Sequence, residues 1–209
     1  MKRLIKFLAL LALTMIVFAV TSWLLAPWTQ AGIYALDVAR LHAANNECYA
    51  TYRAIEANGR ITPIYSIRDL DVERSPYARI SFSNVRIKPL PLSSLLAGTA
   101  TCFIEFDGAE MTAPMNIKLN IGNGSARIAA SDSEITATHV IVSGDIRITG
   151  GITFDMPGGR IKNSTLAMRV PDSLNSIISS PMAAQIIGQY LESENHGEWR
   201  LKYDASPNR

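Results

Sequence analysis

Beyond residue 59 the chain alternates between apolar and polar positions. In Met115-Asn-Ile-Lys-Leu-Asn-Ile121, Met115, Ile117, Leu119 and Ile121 share one parity, and Asn116, Lys118 and Asn120 the other. A period of two places side chains on opposite faces of a strand. Asn123-Gly124 then reads as a hairpin turn, with Ser125 to Ser131 as the returning strand. Ala78 to Lys88, Thr99 to Phe106, Glu134 to Ser143, Asp145 to Phe154 and Arg160 to Val170 have the same texture, separated by Gly, Pro, Asn and Asp. With Arg60 to Ile67 and Glu198 to Tyr203 the count is about nine strands, the pattern of an antiparallel sheet with one wet face.

Two other regions follow a helical period. From Gln30 to Asn58 there is no proline, and Tyr34, Val38, Leu41, Cys48, Tyr52 and Ile55 recur at steps of three or four around a gap at Asn45 and Asn46. Asn58-Gly59 supplies a stop. Late in the chain, Pro171-Asp172 opens one helical segment and Ser180-Pro181 a second, whose Met182, Ile186 and Tyr190 form an apolar stripe.

The head of the chain differs from both. Phe7 to Ala26 is a run without charge, broken in polarity by Thr14, Thr21 and Ser22, whose hydroxyls can bond back to the helix backbone. A bilayer core about 30 Å thick needs about 20 helical residues, more than the apolar region of a cleaved leader. Lys2, Arg3 and Lys6 precede the run and belong on the cytoplasmic side, while Trp23 and Trp28 sit at its far end, where indoles favour the headgroup boundary. The alternative is cleavage after Thr29-Gln30-Ala31, which would release the body from Gly32. The expected organisation is therefore a cytoplasmic tip and membrane anchor over 1–28, a helical connector over 29–59 and an exported β-rich domain over 60–209. The fold class is mainly β: one transmembrane helix, a helical segment, and an antiparallel sheet, sandwich or groove with a late amphipathic helix.

Composition narrows the function. Mean hydropathy is +0.12 and net charge +2, but setting aside the three head cations leaves 17 of the 20 basic residues against 18 acidic ones. The body is no polycation, and its Arg and Lys are scattered, so nucleic acid is not an expected partner. Cys48 and Cys102, the two cysteines, can close a loop in an oxidising compartment or stand as buried thiols; neither belongs to a CxxC. His42, His139 and His196 have no second ligand at metal spacing, and the serines lack a GxSxG elbow. Gly150-Gly151 and Gly158-Gly159 read as turns or a bulge, not a phosphate loop. Asp69, Asp71 and Glu73, bracketed by Arg68 and Arg74, read as a solvated face. No catalytic, cofactor or metal site is expected, and the chain is not read as an enzyme.

Ala78-Arg-Ile-Ser-Phe-Ser-Asn-Val-Arg-Ile-Lys88, then Leu90 to Gly98 and the alternating Thr99 to Phe106, resembles the strand, helical turn and strand unit of AsmA-like proteins. It is also similar to the group called general secretion pathway protein N. The resemblance covers residues 60–155 and maps no functional residue. It implies an inner-membrane anchor with a periplasmic β-rich body.

The expected function is that of an envelope accessory protein of a secretion system, anchored in the membrane and acting in assembly through other envelope or secretion-machinery proteins. The alternative is a lipid-binding or lipid-transport protein whose phospholipid lies in an apolar groove lined by Met115, Ile117, Leu119 and Ile121. A second alternative is an exported enzyme.

Overall fold

The computed structural model describes residues 14–23, 25–45, 47–59, 62–74, 78–91, 93–94, 98–113, 117–156, 160–180 and 191–201. Among the described residues twelve strands form a single antiparallel sheet. Six long neighbours make its body: β3 (Ile64–Arg74), β4 (Ala78–Pro89), β5 (Ala100–Ala113), β6 (Ile117–Ala130), β7 (Glu134–Ser143) and β8 (Arg147–Asp155). On one flank, β1 (Tyr49–Thr51) and β2 (Ala54–Asn58) divide the outer edge of β3 between them. On the other, β9 (Arg160–Ser164) and β10 (Ala167–Arg169) divide β8, and β12 (Glu198–Leu201) and β11 (Leu191–Asn195) follow β10. Against the expected nine strands, the described residues form twelve, in one open sheet and not a sandwich.

The helical expectation stops early. Helix α1 (Thr14–Trp23) and helix α2 (Trp28–Ala44) are bent by 67° at the break between them. Among the described residues no single helix is long and apolar enough to cross a membrane, although the bent pair passes that test together. The hydroxyl of Thr21 does bond back, to Val17 O at 2.8 Å and Phe18 O at 3.0 Å. The anchor cations Lys2, Arg3 and Lys6 lie outside the described residues. After Ala44 the expected helix gives way to β1 and β2, so Tyr52 and Ile55 belong with the sheet. Glu47, at a φ of 59°, makes the left-handed turn that ends the helix. Helix α3 (Asp172–Ile178) bears out the Pro171-Asp172 start. The segment from Pro181 to Tyr190 lies outside the described residues.

The largest departure is at Asn123-Gly124, which makes no hairpin: β6 runs through it as one strand of 14 residues. The apolar parity changes there because Gly122 is left-handed, at a φ of 71°. Leu119 and Ile121 precede it on odd positions; Ala126 and Ile128 follow on even ones. Asp69 in β3, Gly108 in β5, His139 in β7 and Gly150 in β8 are left-handed too, and the ladders slip beside Gly108, Gly122, His139 and Gly150. An added residue of this kind turns the pleat by one position and increases the local twist. Both parities then serve one face, as the edge contact between Phe82 and Phe106 proves, with ring centroids 5.3 Å apart.

Across that face runs a continuous row. Ile55, Ile67, Val85, Phe106, Gly124, Val142, Ile148, Met168 and Trp199 are successive direct partners from β2 to β12. Directly opposed residues share a face and lie close enough to pack. Ile67, Val85, Val142 and Trp199 are all buried. The row is the spine of the core, and fully burying each such side chain is worth about 1.5–3 kcal/mol.

Candidate functional site

Each end of the row is capped by a helix. At the first, α2 lays Ala31, Gly32, Ala35, Leu36 and Ala39 toward Ile55, Tyr65, Ile67, Ile87 and Pro89, around a cavity of about 280 Å³. Small residues let the helix approach closely: a Cβ on Gly32 would stand 2.6 Å from the Tyr65 ring. Burial pushes the Tyr65 phenol above its ordinary pKa. The opposite side of α2 carries Tyr34, Val38 and Leu41 at steps of four and three, all exposed. The sequence period found this stripe as helical and did not say which side it lies on. The signal for the side that approaches the sheet was Gly32, which is buried against Tyr65, among the small residues Ala31, Ala35 and Ala39 that line the cavity.

At the other end, Ile146, Val170, Ile178 and Trp199 form a buried cluster, with Leu119, Ile121, Ile148, Met168, Leu174 and Leu191 packed against it. Leu119 and Ile121, two of the expected groove residues, are half-buried and pack against this cluster. Ile117 opens β6, and Met115 lies outside the described residues.

A polar chain fastens α3 to this cluster. Trp199 Nε1 donates to Asn175 Oδ1 at 3.1 Å, and both residues are buried. Asn175 Nδ2 lies 3.4 Å from His196 Nδ1, and His196 Nε2 lies 3.3 Å from Asp172 Oδ1. With the amide donating to Nδ1, the neutral imidazole keeps its proton on Nε2, facing the carboxylate. An acid and a histidine at this separation suit proton transfer. Here, however, an amide occupies the nitrogen that would serve a nucleophile, and Asp172 and His196 are 91% and 81% exposed. The arrangement orients α3. Among the described residues no group of three or more His, Cys, Asp or Glu is placed to hold a metal ion.

The remaining sequence candidates are dispersed. Cys48 and Cys102 are free thiols, both half-buried; Cys102 faces Pro89 and Ile128, and burial raises its pKa. His139 is an exposed bulge residue within β7. Asp71 receives Arg79 through both carboxylate oxygens, at 3.0 and 2.6 Å, and Arg53 approaches Asp69 at 3.6 Å, a solvated charged surface as expected. Trp23 and Trp28 meet edge to face across the helix break, ring centroids 4.4 Å apart.

The family model described as type II secretion system protein GspN-like, Synergistales, matches residues 5–203. The chain belongs to this GspN-like family. No curated protein and no solved structure matches it. The match answers to the general secretion pathway protein N side of the resemblance over residues 60–155; nothing found supports the AsmA-like side. GspN-like membership points to an accessory role in type II secretion and is consistent with a membrane-associated envelope protein.

Proposed function

We propose that this GspN-like chain is a non-catalytic assembly protein of the secretion machinery, anchored in the inner membrane by its head and carrying its sheet in the periplasm. The observation favouring assembly over lipid carriage is the filled apolar row, in which Ile67, Val85, Val142 and Trp199 are at most 8% exposed. Among the described residues the open sheet ends at β11 and at the outer sides of β1 and β2, edges to which a partner strand can add.

Anchoring draws its support from the two N-terminal helices. Met15, Ile16, Val17, Phe18 and Val20 on α1 are all more than half exposed, and Tyr34 and Leu41 on α2 are 73% and 69% exposed. A helix with one face on a protein core and bulky apolar residues opposite suits the bilayer boundary, next to a segment that enters the bilayer. Lys2, Arg3 and Lys6 ahead of it favour a cytoplasmic start.

The test is native mass spectrometry of protein gently extracted from carbonate-washed membranes. A stoichiometric protein partner without bound lipid is the expected result. Release by the wash with an N-terminus at Gly32 would overturn the anchor, and one phospholipid per chain with no protein partner would overturn assembly. A second reading has one observation behind it: the cavity of about 280 Å³ beneath α2 is lined almost entirely by apolar side chains and suits part of an acyl chain.

A further inference from the structure

We propose that Arg147 and Arg169 form a binding site for a single phosphate group, independent of the assembly reading. Arg147 begins β8, Arg169 ends β10, and the two are direct partners in the antiparallel ladder. Such partners have Cβ atoms about 4.5–5.5 Å apart on one face, where like charges repel. Both side chains are exposed, and neither has an ion pair or hydrogen bond among the described residues. Several other arginines on the sheet are matched to acids on neighbouring strands, as in Arg79–Asp71 and Arg86–Asp107, whereas among the described residues Arg127 and Arg160 stand singly and not as a directly opposed pair. The nearest acids, Glu198 opposite Arg169 and Asp145 at the cavity, form no ion pair with either arginine among the described residues and are engaged by other donors. Glu198, the other partner of Arg169, accepts from Asn195 Nδ2 at 3.2 Å, and Asp145 accepts from the Asn120 backbone N–H at 3.0 Å.

Beside the pair is a cavity of about 330 Å³, bounded also by Gly144, Asp145, Val170 and Pro171. The ligand class follows from donor counting. A guanidinium presents a rigid fork, and one fork already satisfies the two oxygens of a carboxylate. Two opposed forks match a tetrahedral group with three or four oxygens, and a bound phosphate removes the repulsion between them. Asp145 at the rim opposes further negative charge, which favours one phosphate over a polyanion.

The full-length chain in neutral detergent, at low ionic strength and without phosphate, is the material for the test. Inorganic phosphate and dihexanoyl phosphatidylglycerol are titrated separately, with dihexanoyl phosphatidylcholine and oligoglutamate as controls, and the thermal midpoint and bound heat are followed. The wild type should be stabilised by inorganic phosphate or by the phosphatidylglycerol. A response to inorganic phosphate identifies a soluble source, and a response to the lipid at concentrations where inorganic phosphate is silent identifies a headgroup. Arg147→Gln/Arg169→Gln should weaken binding at least tenfold, and Arg147→Lys, which keeps the charge but loses the fork, should weaken it measurably. Without ligand, Arg147→Gln should keep or raise the thermal midpoint, since it relieves the repulsion. The proposal is overturned if neither phosphate probe stabilises the wild type, if the double variant binds as well, or if oligoglutamate binds as tightly as either probe.

Discussion

The ring of Phe106 occupies the space that a side chain at Gly124 would fill. A Cβ on Gly124 would stand 2.6 Å from Phe106 Cε1 and 2.8 Å from the carbonyl oxygen of Ile141. The aromatic ring thus bridges the one position in the apolar row that has no side chain. Gly124→Ala should cost about 1–3 kcal/mol, the usual penalty for overfilling a packed core. Phe106→Leu should recover part of that loss, leaving the contact with the Ile141 carbonyl uncorrected. Urea unfolding of both single variants and the pair measures the coupling; strict additivity would show that the ring is not the obstacle.

Leu119 separates a filled core from an open groove. It is packed against the Ile146, Val170, Ile178 and Trp199 cluster, so Leu119→Asp should abolish the cooperative melt by circular dichroism, because a carboxylate there has no partner. Leu119→Ala should retain the fold at a cost of about 2 kcal/mol, low in the range for such truncations because the site is half-buried. A folded Leu119→Asp protein that had merely lost bound lipid would favour the groove.

The chain from Trp199 to Asp172 divides into a buried half and a wet half. Trp199→Phe leaves the buried Asn175 Oδ1 without its donor and should cost about 1–3 kcal/mol. His196→Ala should stay within about 0.5 kcal/mol, as exposed substitutions usually do. Equal losses in urea unfolding would mean that the Asp172–His196 contact carries weight its exposure does not suggest.

Alkaline pH should destabilise the fold through Tyr65 and Cys102. Burial favours their neutral forms in the native chain, so both lose their protons more readily when unfolded. The stabilisation from Cys102 is complete below the ordinary thiol value of 9.0 and is lost as pH rises through the higher folded value. The urea midpoint should hold from neutrality to about pH 8 and then fall. Cys102→Ala should flatten the fall between the two values; an unchanged slope would leave the effect to Tyr65 and other groups.

The strands were legible because alternation is a local property: a half-buried strand announces its face every second residue. What alternation does not reveal is a left-handed residue within a strand. At Gly122 the parity of β6 reverses, and a reversal beside Asn-Gly has the same local appearance as a hairpin. The long-range ladder with β5 and β7 settles it. For α2, spacing identified the helix but not its orientation, because the bulky stripe of Tyr34, Val38 and Leu41 has the same period as the small-residue face that contacts the sheet. Beyond Ala44, Cys48, Tyr52 and Ile55 kept a helical interval by coincidence; pairing of β1 and β2 with β3, Ile55 opposite Ile67 among the partners, determined the conformation there. The Arg147–Arg169 pair left no trace in the sequence, since 22 positions separate residues that only the ladder brings together.

From β3 to β8, each strand pairs with the one that follows it. For a chain that folds as it emerges this sets an order of assembly. As the polypeptide emerges from its N-terminal end, every new strand meets a partner that has already arrived, so loop closure remains cheap at each step. The sheet can lengthen one hairpin at a time. Only at β10 and β12 must the chain wait, because α3 and β11 intervene before β12 can dock. The last event of folding is then the seating of Trp199, and a chain arrested before residue 199 would present the end of its apolar row uncovered.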